Sequence, residues 1–141
     1  MAEKDDITAL YNEAIMGFEA LLDDVKSEQP PEQPLACRAG CDHCCYQPEI
    51  TVTAVETFRL AEFITENFDA TEVAALINAL EQEAEDVTQP SWPLAPCSLL
   101  KDGHCSVYQV RPLACRGFNA YVMSDCEDAR QDRNAHAKVR Y

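Results

Sequence analysis

The sequence predicts a mainly α-helical chain: a small helical domain with a cysteine-rich lobe containing a short β-hairpin. Three observations predict it. Apolar residues recur at helical spacing over three stretches. Eight cysteines lie outside those stretches, four of them within Cys37–Cys45 and four between Cys97 and Cys126. An Asp-Gly pair between apolar residues in the second group signals a tight hairpin.

The first helix is expected over residues 5–27. Ile7, Leu10, Tyr11, Ala14, Ile15, Phe18, Leu21, Leu22 and Val25 follow i, i+3, i+4, i+7 spacing. Asp5 and Asp6 complement its dipole at the N-terminus. The segment Gln29-Pro-Pro-Glu-Gln-Pro34 ends it and forms a short stiff linker. Gly40 permits a turn between Cys37 and Cys41, and Pro48 closes that loop. Thr53-Ala-Val-Glu56 has capping-box form and starts a second helix to about Asn67, with Val55, Phe58, Phe63 and Ile64 on its apolar side. Asp69 or Thr71 caps a third through roughly Ala84, with Val73, Leu76, Ile77 and Leu80 inward.

Gln89 to Pro96, with three prolines and Trp92, reads as an extended connector. Asp102-Gly103 then predicts a two-stranded ribbon with Cys97 and Cys105 on its arms. A helical turn follows over Val107–Val110. Ser124-Asp-Cys-Glu127 resembles a further helix start leading into a polar tail, 127–141. The 141 residues fit a single domain, divided into an N-terminal amphipathic helix (1–29), a cysteine core (37–126) and that tail.

Charge narrows the function. A net charge of −14 offers no basic face for nucleic acid and no attraction to anionic lipid. No apolar run approaches the ~18 residues of a membrane span. The start, Met-Ala-Glu-Lys-Asp-Asp, is acidic where a signal peptide needs cations. The expectation is a cytoplasmic protein. In a reducing compartment, clustered cysteines mean metal or redox chemistry more often than structural disulfides.

Thiolate is the soft ligand that zinc and iron–sulfur centres select. Cys41-x-x-Cys44 and Cys37-x-x-x-Cys41 can aim two sulfurs at one ion across a turn. The neighbours Cys44 and Cys45 would point to opposite sides of extended backbone. Either they serve two different centres or one is a reactive thiol that binds no metal. Cys97, Cys105, Cys115 and Cys126, the last the most isolated, supply the complement. Arg111 and Arg116 around Cys115 should favour its thiolate form. His43 and His104 are read as supporting or solvent-facing groups, and His136 as a surface residue. Trp92, Tyr108, Phe118 and Tyr121 are expected to pack the cysteine half. No catalytic constellation stands out.

The eight cysteines, together with Cys97-Ser-Leu-Leu, Cys105-Ser-Val-Tyr, Arg111-Pro112 and Cys115-Arg116, resemble the YkgJ-like, or CxxCxxCC, cysteine-cluster family. The resemblance covers about residues 37–126, and the first spacing here is x₃ rather than x₂. It implies a zinc- or iron-chelating domain, with Zn²⁺ or Fe, including an iron–sulfur cluster, as cofactor. The expected function is a protein holding such metal through Cys37, Cys41, Cys44, Cys45, Cys97, Cys105, Cys115 and Cys126 at two centres. The alternatives are an iron-dependent or iron–sulfur oxidoreductase or modification enzyme, and a metal carrier or regulatory interaction module. Metal ions are the expected partners, with any protein partner unspecified.

Overall fold

A computed structural model of the chain describes residues 2–28, 35–38, 40–46, 50–86 and 95–136. The proline linker, Pro48, the connector residues 89–94 with Trp92, and the end of the tail lie outside the described residues, as do the side chains of Asp5, Asp6, Ile7 and His136. The order is α1 (Ala2–Ser27), a 3₁₀ turn (His43–Tyr46), α2 (Ala54–Asn67), α3 (Ala70–Asp86), β1 (Leu100–Lys101), β2 (His104–Cys105), a 3₁₀ turn (Tyr108–Val110), α4 (Leu113–Gly117), α5 (Met123–Gln131) and α6 (Arg133–His136). The fold is mainly α, with one small antiparallel ribbon among the described residues.

Local signals place most of these elements. At α2 the capping box forms: the Glu56 amide donates to Thr53 Oγ1 at 3.3 Å, and the Thr53 amide to Glu56 Oε2 at 2.8 Å. At α3, Asp69 Oδ1 accepts from the Thr71 and Glu72 amides at 2.8 and 2.9 Å. The ribbon pairs Leu100 with Cys105 and Lys101 with His104. Asp102 and Gly103 make its turn at φ 51° and 74°, the left-handed pair that a two-residue hairpin demands. Cys97 lies in the turn leading into β1 rather than on the strand, because each strand is two residues long.

Two features went unread in the sequence, and one expectation is corrected. The helix start expected at Ser124–Glu127 falls within α5, which runs to Gln131, and α6 follows after an extended Asp132. Cys126 and Ala129 on α5 are buried, so this segment belongs to the fold. Helix α4 has no sequence cap among Ser, Thr, Asn or Asp; Pro112 stands at its N-cap. The apolar faces are also covered less than predicted. On α1, Tyr11 and Ile15 are buried, but Leu10 and Leu21 are 66% and 65% exposed and Val25 is exposed too. Val55, Phe58, Ile77 and Leu80 are likewise exposed. Only a narrow strip of each helix meets a neighbour. The buried apolar residues gather in the second half, at Val107, Val110, Ala120, Cys126 and Ala129.

Two buried charges join the halves. Glu56 accepts the Thr53 amide and hydroxyl and, across 57 positions, the Leu113 amide at 2.7 Å. Burial alone would raise its pKa, but these hydrogen bonds hold it below the ordinary value. Glu56 therefore ties the start of α2 to the start of α4. Arg116 donates to the Arg111 and Gln109 carbonyls at 2.9 and 2.7 Å and pairs with Glu19 of α1. Beside it, a Cβ on Gly117 would sit 3.4 Å from the Phe18 ring, so α4 and α1 approach closely there.

Candidate metal centre

All eight cysteines are free thiols. They arrive from two sequence-distant pieces that the backbone stitches together. The loop 37–45 is held at both ends. At its start, the Ala36 amide donates to the Ala120 carbonyl at 2.8 Å, and the Ala120 amide donates back to Cys37 Sγ at 3.2 Å. At its end, the Cys97 amide donates to the Cys45 carbonyl at 2.7 Å. Gly40, at φ 80°, makes the turn between them.

The middle of the loop meets α5. The Arg130 guanidinium lies 3.5 Å from the centroid of the Tyr46 ring. Its Nη1 stands 3.4 Å from His43 Nδ1 and 3.7 Å from Asp42 Oδ1. His43 Nε2 is 4.0 Å from Glu127 Oε1. His43 is thus engaged by Arg130 and Glu127 on α5. His104 Nδ1 stands 2.9 Å from the Asp102 carbonyl, on the exposed side of the hairpin.

Cys44 and Cys45 do not diverge as extended backbone would make them. They lie on a 3₁₀ turn, where successive side chains stand about 120° apart rather than opposed, and their thiols hydrogen-bond. The Cys45 thiol donates to the Cys44 sulfur and lowers the Cys44 pKa to about 7. By the same bond Cys45 is held strongly in its protonated form.

Electrostatic neighbours divide the sulfurs. Burial raises Cys97 and Cys105, and raises Cys115 to about 11; Cys44 adds to all three, and Cys105 to Cys97 and Cys115. Burial also raises Cys126 to about 11, but its chief neighbours are Cys37 and Cys41, then Asp125 and lastly Cys44. The expectation that two arginines make Cys115 a ready thiolate is overturned. Burial and three neighbouring sulfurs outweigh Arg111, and Arg116 turns away to Glu19. Arg111 opposes the negative charge at Cys44, Cys105 and Cys115. It stacks 3.9 Å from the Tyr108 ring centroid, with Nε buried and unpartnered.

No three donors among the described residues already converge on one ion. The donor chemistry nonetheless fits a thiophilic metal. The sulfurs are unbridged, and the Leu99 and Val107 amides bond to Cys97 and Cys105, two residues on from each. Such amide–sulfur bonds stabilise a ligand thiolate.

Sequence reasoning missed Arg130, the bond from the Leu113 amide to Glu56, and the Ala120 amide. Arg130 was detectable: it stands four residues after Cys126, on the same helical face. Glu56 and Ala120 act across more than 50 positions, which spacing does not register.

Comparison with protein-family models gives a match over residues 36–138 to CxxCxxCC, described as "Putative zinc- or iron-chelating domain". No curated protein and no solved structure matches.

Proposed function

Because the chain belongs to the CxxCxxCC family of zinc- or iron-chelating domains, we propose that it holds zinc or iron at two centres. The ligands are drawn from Cys37, Cys41, Cys44, Cys45, Cys97, Cys105, Cys115 and Cys126. The metal clasps the loop 37–45 to the segment 97–126. The observation that carries this reading is that the two cysteine-bearing pieces, about 50 residues apart and carrying eight unbridged thiols, are fastened to each other by the Cys97–Cys45 backbone bond and by the Ala36–Ala120 and Ala120–Cys37 bonds.

Zinc would supply a closed cross-link, and an iron–sulfur cluster would add one-electron chemistry. The residues divide the work. Arg111 offsets the negative charge of the thiolates, and the Leu99, Val107 and Ala120 amides bond to sulfur. Loading displaces the protons of Cys115 and Cys126, whose pKa values stand near 11 without metal.

Elemental analysis and an absorbance spectrum of anaerobically purified protein test the assignment. About two Zn per chain and no visible absorbance give the zinc reading; iron with sulfide absorbance gives the redox reading. A chain carrying neither metal refutes both.

A second reading, an interaction module, is favoured by α1. Leu10, Ala14, Gly17, Leu21 and Val25 form an exposed apolar seam beside its docked face, bordered by Glu13 and Asp24. Carboxylates on that border suit a cationic amphipathic helix. Leu21→Asp is expected to leave stability within ~0.5 kcal/mol, the range of an exposed site, in a thermal melt. A fall of several degrees would make the seam part of the core and end this reading.

A further inference from the structure

Every side chain of the segment Asp42–Tyr46 that is not sulfur meets one guanidinium. Arg130 Cζ lies 3.5 Å from the Tyr46 ring centroid, and its Nη1 stands 3.4 Å from His43 Nδ1 and 3.7 Å from Asp42 Oδ1. Resting on the metal-binding reading above, we propose that Arg130 is the positioning residue of the vicinal thiols. From α5 it holds the turn that sets Cys44 and Cys45 for metal.

The backbone explains why the hold falls where it does. His43–Tyr46 is a four-residue 3₁₀ turn. Side chains at i and i+3 of such a turn eclipse. His43 and Tyr46 therefore share one face, and Cys44 and Cys45 take the other two. Arg130 occupies the sulfur-free face, so its grip does not compete with ligation.

The turn needs such a hold. Hydrogen-bond geometry in a 3₁₀ run is poorer than in an α-helix. Backbone bonds to Ala120 and from Cys97 fix the two ends of the loop. Between them the described backbone bonds are local: the Cys41 amide donates to the Arg38 carbonyl at 3.1 Å, and the Cys45 amide to the Asp42 carbonyl at 2.8 Å. Side chains of α5 tie the middle to the rest of the fold. Glu127, three residues before Arg130 on that helix, adds a contact 4.0 Å from His43 Nε2. The grip is also partly desolvated, with the Arg130 and Asp42 side chains 27% and 25% exposed. A cation stacked on a tyrosine face in such surroundings is worth more than an exposed ion pair.

The test is a double-mutant cycle on the full chain, read first by hydrogen exchange at the Cys45 amide, which reports the turn through its bond to Asp42. Arg130→Gln and Tyr46→Leu are each expected to speed that exchange about tenfold, and the double variant no further than either alone. The Ser106 and Val110 amides and the far-ultraviolet circular dichroism should stay as in wild type. The second readout is titration with cobalt(II). In Arg130→Gln the thiolate-to-cobalt absorbance should reach its wild-type intensity at saturation but require about tenfold more free cobalt, because order lost in the turn must be restored on binding. Arg130→Lys keeps a cation over the ring without the planar fork and should recover part of both losses. The proposal is overturned if Cys45 exchange is unchanged in Arg130→Gln, if the two substitutions add, if Ser106 and Val110 speed up equally, or if cobalt affinity stays at the wild-type value. A wild type that takes up no cobalt, zinc or iron overturns the metal-binding reading itself, while the exchange cycle still reports whether Arg130 holds the turn.

Discussion

Stripping the metal is expected to dissolve the cysteine lobe while α1 persists less affected. The ribbon consists of two-residue strands, and an isolated hairpin of that size is marginal in water. Its surroundings bury few large apolar side chains. Metal would therefore supply much of what holds 97–126 to 37–45, and binding free energy is then folding free energy. Amide hydrogen exchange reads this residue by residue. The amides of Leu100, Ser106 and Val110 donate to Cys97, Leu99 and Val107 carbonyls. They should lose protection by ~100-fold or more on chelation, which corresponds to ~3 kcal/mol at tenfold per 1.4 kcal/mol. Unchanged protection across Cys97–Cys115 would sink the claim. The pH dependence has a fixed sign. Without metal, burial holds Cys115 and Cys126 near 11, and as the proposed ligands they would have to lose their protons to bind. Protons and metal therefore compete, and affinity falls as pH falls, by about 1.4 kcal/mol per unit for each proton displaced.

Glu56→Ala is expected to be the most destabilising substitution outside the cysteines, at ~3 kcal/mol. The change removes the carboxylate end of the α2 capping box and orphans the Leu113 amide at the start of α4. For a chain of this size that means a fall on the order of 10 °C in Tm. Because α4 carries Cys115, metal loading at limiting zinc should fall too. Glu56→Gln keeps an acceptor and should lose less. The native carboxyl pKa is depressed, so its contribution is fully present above the ordinary carboxylate range and is lost as pH falls through the lowered native value. A Glu56→Ala protein melting within a degree or two of wild type would show that the α2–α4 tie carries little.

Much of the fold was legible because its signals are local. The capping box at Thr53, the Asp69 cap and the Asp102-Gly103 turn each act over two or three residues, and each formed as its chemistry demands. The site was legible as a list of sulfurs but not as a grouping. At the vicinal pair, extended backbone was assumed where a 3₁₀ turn stands. Cys115 was misjudged because its charged neighbours in sequence are not its neighbours in space: Arg116 turns to Glu19 while Cys44, Cys97 and Cys105 close in. The apolar spacing of α1 was real, but how much of that arc a partner covers depends on which elements reach it, and spacing carries no such information.

The central claim is that sulfur from both segments holds metal. X-ray absorption at the zinc and iron edges of the purified full chain tests it most directly. The account predicts a first shell dominated by sulfur at about 2.3 Å, with sulfur lost from that shell both in Cys45→Ser and in Cys105→Ser. A shell of oxygen or nitrogen alone, or a sulfur shell indifferent to either substitution, would contradict it.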